Sequence, residues 1–126
     1  MIRRAEYVRG GPLPLAASIS VSGGGISVYL CGGDAPHIGS AVLAEPRESL
    51  TGQGWSCSSS VMNLCGHKDE ALARPLAVTL CRTFRRPVCV CAGVHVEGAT
   101  AGQLAEIQAA FREAEREIVA RVAAII

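Results

Sequence analysis

Cys65-Gly66-His67-Lys68-Asp69-Glu70 is the point at which the pattern of this chain changes period. Upstream, Trp55 to Leu64 alternates: Cys57, Ser59, Val61 and Asn63 take one face, and Ser58, Ser60, Met62 and Leu64 the other. That is a strand with neither face wholly apolar, suited to lining a pocket or lying under a partner subunit. Downstream, Asp69 to Phe84 reads as a helix, with acidic residues in its first turn and Arg82, Arg85 and Arg86 at its end, as the helix dipole favours. Pro75 predicts a kink or a late restart within it. Backbone N–H groups at a helix start, beside His67 and Lys68, make a seat for an anion, most usefully a phosphate. His37, within Gly32 to Gly39, and His95, within Ala92 to Thr100, occupy similar glycine-bearing turns. If their strands are neighbours, all three turns meet at one edge of a sheet.

Working outward, Leu15 to Ser22 and Ile26 to Cys31 alternate around Gly23-Gly24-Gly25 and predict a hairpin. Ala5 to Arg9 is at most an edge strand, and Gly32 to Gly39 is a loop by composition. Ser40 to Ala44 reads as a short strand closed by Glu45-Pro46, followed by a mobile surface segment from Arg47 to Gly54. Pro87 to Ala92, rich in Val and Cys, predicts a central strand covered on both faces. Thr100-Ala101-Gly102-Gln103 is a capping box. The helix it opens runs to about Val122, with Leu104, Ile107, Phe111, Ala114, Ile118, Val122 and Ile125 as the stripe that packs on the sheet. Glu113 with Arg116 and Glu117 with Arg121 are its surface pairs. A strand-rich first half followed by helix, strand and helix gives the fold class: α/β of the α+β type, a two-layer arrangement of a mostly antiparallel sheet of five or six strands with two helices on one face.

Composition narrows the function. The 126 residues predict a single domain, 1–126, and 49% hydrophobic content with only 4% aromatic leaves the core to small aliphatic side chains. Twelve basic and eleven acidic residues give a net charge of +1, too little field to hold nucleic acid or an anionic membrane. Met1 to Glu6 is not followed by a continuous apolar stretch, Pro12 and Pro14 interrupt what comes next, and there is no apolar run long enough to span a bilayer, so a cytoplasmic protein is expected. Six cysteines form no C-x-x-C pair and read as small buried hydrophobes, with Cys89 and Cys91 on one strand face. Cys65, near a helix start and Lys68, is the thiol placed for a lowered pKa.

No G-x-S-x-G, H-E-x-x-H, Walker or G-x-G-x-x-G motif is present. His37, His67 and His95, with Glu97 or Asp34, could ligate a divalent metal, which leaves open a small metal-dependent enzyme. Gly32-Gly33-Asp34-Ala35-Pro36-His37-Ile38-Gly39, Gly66-His67-Lys68-Asp69-Glu70 and Ala92-Gly93-Val94-His95-Val96 to Ala99-Thr100 together resemble the LpdD-like family, the small D subunit of gallate-type hydroxyaryl decarboxylase systems. The resemblance implies a non-catalytic, prenylated-FMN-binding chaperone that delivers or protects the cofactor for a UbiD-type decarboxylase large subunit, receiving it from a flavin prenyltransferase. A purely structural decarboxylase subunit is the remaining alternative. A homodimer is expected. For the cofactor we single out His37, Gly39, Gly66, His67, Lys68, Asp69 and His95: Gly66, His67 and Lys68 would seat the phosphate, and Met62, Trp55 and the turn around His37 would wall the ring system.

Overall fold

The computed structural model describes residues 1–66 and 69–126. Six strands, β1 (Arg3–Arg9), β2 (Leu15–Ser22), β3 (Gly25–Gly33), β4 (Ser40–Glu48), β5 (Trp55–Asn63) and β6 (Val88–His95), are joined by α1 (Glu70–Phe84) before β6 and followed by α2 (Ala101–Ile125). They form one sheet in the order β1-β2-β3-β6-β4-β5. All neighbours are antiparallel except β3 and β6, which run parallel at its centre.

Period-two patterning decides which face is covered. Ile19, Val28, Val90, Val42 and Val61 stand opposite one another in a row across five strands. That row points at the helices. Leu76 and Leu80 of α1 and Ile118 and Val122 of α2 are fully buried against it, each large side chain contributing about 1.5–3 kcal/mol. α1 covers β4, β5 and β6, and α2 covers β1 and β2. The fold is the two-layer α+β arrangement with both helices on one face.

Several elements differ from expectation. β4 continues through Pro46 to Glu48, because β6 pairs with it only as far as Ala44. Beyond that point β4 has a free side, where proline's missing donor costs nothing. α1 runs unbroken through Pro75 instead of kinking or restarting. Pro75 borders the groove between the helices, and the bond that its nitrogen cannot make is the one to the carbonyl of Ala71, which lines the same groove. β6 is central, as read, but covered on one face only: Cys89 and Cys91 remain partly exposed on the other. The apolar stripe of α2 packs on the sheet only in its later turns, at Ala110, Ala114, Ile118 and Val122, while Leu104 is 51% exposed. Glu113 pairs with Arg9 at 3.8 Å rather than with Arg116, and Glu117 pairs with Arg121 at 3.0 Å.

This topology gathers the turns. Because β3 and β6 are parallel, both end at the same edge, and there β4 begins, β5 ends at Asn63 opposite Ser40, and both helices start.

Candidate functional site

The turn after β3 lies directly on the end of β6, and glycines make the crossing possible. Gly33 has φ +73°, and a Cβ there would sit 2.1 Å from the His95 carbonyl oxygen. A Cβ on Gly93 would sit 1.8 Å from the carbonyl oxygen of His37. Backbone bonds fix the contact: the Asp34 N–H donates to the His95 carbonyl at 2.7 Å and the Gly39 N–H to the Ala92 carbonyl at 2.9 Å. The Asp34 carboxylate accepts the Glu97 N–H at 3.0 Å, stitching the turn to the segment that leads into α2.

Asp69 is the knot of the site. It is the N-cap residue of α1, yet its side chain makes no capping bond and is buried beside β6 instead. One carboxylate oxygen accepts the Val94 N–H at 2.9 Å and the other faces His37 Nε2 at 3.1 Å. His37 Nδ1 lies 2.8 Å from the carbonyl of Ala35, an acceptor only, so it must carry a proton. With acceptors at both ring nitrogens, the geometry is fully satisfied by the imidazolium. Accordingly the His37 pKa is raised above 6.5, by the Ala35 carbonyl first and by Asp69 second, against an opposing effect of partial burial. A raised histidine pKa stabilises the fold below the ordinary value of 6.5, and that contribution is lost as pH climbs through the folded value. Urea midpoints are therefore expected to fall between about pH 6 and pH 8.5 in the wild type and to fall less in His37→Gln.

The start of α1 is held from a second side. Ser40 donates to Asn63 at 2.6 Å, Asn63 donates to Glu70 at 3.0 Å, and Glu70 pairs with Arg74 at 3.1 Å. Between this corner and the first turns of α2 opens a cleft of about 730 Å³. Its mouth is polar, with Ala35, His37, Gly66, Asp69 and His95; its wall is apolar, with Leu72, Val94, Val96, Leu104, Ile107 and Phe111. The wall continues into a groove of about 350 Å³ between α1 and α2, bordered by Pro75, Gln108 and Arg112. The volume suits a ligand of cofactor size, and an apolar lining with a few convergent polar groups is what such sites have.

Of the residues singled out from sequence, His37, Gly66, Asp69 and His95 border this one cleft, and Gly39 lies at its corner, bonded to Ala92 and Leu64. His67 and Lys68 lie outside the described residues. Met62 and Trp55 do not wall the cleft: Met62 is on the opposite sheet face, 78% exposed, and Trp55 is at the far end of β5, about 26 Å along the strand, beneath the Arg85 guanidinium. The apolar wall comes instead from α2. Its signal was present in the sequence as a stripe that begins at Leu104, earlier than the sheet can accept it. The His95 imidazole lies 2.7 Å from Glu97, and among the described residues no group of three His, Cys, Asp or Glu side chains is placed to hold a metal. Among the described residues, no helix is long and apolar enough to cross a membrane.

These features define a class: a small two-layer α+β protein with a half-apolar, cofactor-sized cleft where strand ends and helix starts converge. The family model for the prenylated flavin chaperone LpdD-like domain matches residues 10–123, and the chain belongs to that family. Membership supports a prenylated-flavin chaperone role. Among solved structures, a chain from a chaperone complex for yeast 20S proteasome assembly is similar, with a TM-score of 0.60 over 93% of this chain and 94% of that one. At 12% identity this is a likeness of fold alone. No curated protein matches the sequence.

Proposed function

We propose that this protein binds prenylated FMN in the cleft between the His37–Asp69 corner and the first turns of α2, and carries or shields it between a flavin prenyltransferase and a UbiD-type decarboxylase in the cytoplasm. The observation that carries this reading is the juxtaposition of a polar mouth with an apolar wall in one cleft of about 730 Å³. The prenyl-derived carbons and the ring system meet Leu104, Ile107 and Phe111. The phosphate takes the start of α1, where the Asp69 side chain, turned toward Val94 and His37, does not cap the helix. His67 and Lys68, which precede Asp69 in the sequence, are the basic side chains assigned to it. His37, Gly39, Gly66 and His95 shape the mouth, and the protein itself performs no chemistry on the cargo.

The test is an anaerobic titration of the purified protein with reduced prenylated FMN, followed by absorbance and fluorescence. Saturable binding is expected, with unprenylated FMN weaker because it leaves the apolar wall unfilled. Leu104→Asp, at a half-exposed position, is expected to lower affinity by about tenfold or more without unfolding the chain, and His67→Ala and Lys68→Ala to weaken phosphate-bearing ligands in particular. Absence of binding at micromolar protein overturns the reading.

A further inference from the structure

The groove between α1 and α2 carries polar groups that neither the phosphate seat nor the apolar wall uses. β5 and β6 end at the same edge, so α1 and α2 start together and run the same way, and the groove leads inward from the cleft between them. From Leu104 to Arg112 it follows α2 for about 12 Å. Leu72, Leu104, Ile107 and Phe111 border both spaces, which are therefore continuous. Farther in, Gln108 and Arg112 stand one turn apart on α2. Glu115 beyond them is engaged: the Thr79 hydroxyl donates to it at 2.5 Å and ties the helices together.

A helix carbonyl ordinarily accepts the N–H four residues on, and four residues on from Ala71 is Pro75, which has none. Proline is the least favourable residue for a helix interior, yet α1 carries it where the carbonyl it frees borders the groove. On the other wall, Gln108 and Arg112 make no side-chain hydrogen bond or ion pair among the described residues. Their neighbours Glu113 and Glu117 pair with Arg9 and Arg121. The groove thus offers a backbone acceptor on α1 and side-chain donors on α2, between apolar walls.

We propose that this groove takes the pyrimidine-dione end of the flavin ring, with the Ala71 carbonyl accepting from the ring imide N–H and Gln108 and Arg112 donating to the ring carbonyl oxygens on either side of it. The assignment rests on the cleft being the flavin site and adds which end of the ring enters and what reads it. That end of a flavin presents acceptor, donor, acceptor in sequence, the complement of donor, acceptor, donor. An acyl or isoprenoid chain would fill the apolar part of the groove but leave all three polar groups unmatched, and a buried polar group without a partner opposes binding. The imide N–H is present in oxidised and reduced flavin alike, so the contact serves recognition of the ring and not of its redox state.

The test pairs urea denaturation with anaerobic titration of reduced prenylated FMN, on the whole chain. Pro75→Val keeps an apolar side chain at the groove but restores the N–H that engages the Ala71 carbonyl within the helix. It is expected to raise the urea midpoint and yet to weaken flavin binding by about fivefold, a combination that a merely structural proline would not give. Gln108→Leu, at an exposed position, is expected to leave the midpoint unchanged and to weaken binding by about fivefold. A wild type that binds no flavin overturns the cleft assignment and this one with it. A wild type that binds flavin while both variants bind equally well overturns this assignment alone, and so does a Pro75→Val midpoint that fails to rise, since the Ala71 carbonyl then had no bond to gain.

Discussion

Gly93→Ala is expected to destabilise the protein by about 3–5 kcal/mol, a large share of the stability of a chain this size. The added carbon would sit 1.8 Å from the His37 carbonyl oxygen and 2.3 Å from the carbonyl carbon, contacts that no side chain can relieve because both atoms are backbone. Only displacement of the turn from Asp34 to Gly39 makes room. That displacement breaks the bonds from Asp34 to His95 and from Gly39 to Ala92, and it takes His37 away from Asp69. Chemical denaturation measures the loss, and a shift of the His37 ring resonances identifies its cause. Gly102→Ala is the control: it lies in the first turn of α2 with nothing within 4 Å of the added carbon, and it should stabilise the helix by about 0.5–1 kcal/mol.

Asp69→Ala is expected to cost about 2–4 kcal/mol. The side chain is buried and, among the described residues, accepts from the Val94 N–H and faces the His37 ring, so its removal leaves polar groups without their acceptor. Asp69→Asn separates the parts. Its amide oxygen can still accept from Val94, but its NH2 group faces His37 Nε2, which must then act as an acceptor. The imidazolium loses one of its two reasons to exist, so the His37 pKa should fall toward 6.5, and the loss of stability with rising pH should flatten. A proton NMR titration of His37 in the two chains reads this directly.

Local pattern carried much of the fold. β2 was legible to the residue in the alternation from Leu15 to Ser22, and the α2 start in Thr100 and Gln103, whose reciprocal bonds close the capping box at 3.2 and 2.8 Å. What local pattern misses is pairing at a distance. The parallel partnership of β3 with β6 has no signature in either strand, and the persistence of β4 through Pro46 depends on where β6 stops. Half-cover of β6 was illegible for a related reason: cysteine is small and apolar enough to suit a buried or an open face equally. At the cleft, the glycines and histidines of the three turns were visible as unusual composition, and the sheet edge brings two of those turns, with Gly66 and Asp69 of the third, together. The α2 wall was missed because a stripe of period 3.6 does not say what it faces.

The parallel pair at the middle of the sheet also bears on how the chain reaches this state. Ile26 and Val88 are partners although roughly half the sequence separates them, whereas β2 with β3 and β4 with β5 close through short turns. Closing so long a segment costs chain entropy before any central contact repays it. The two hairpins are therefore expected to assemble early as separate units, with the rate of folding set by the arrival of β6, the strand that slots between them.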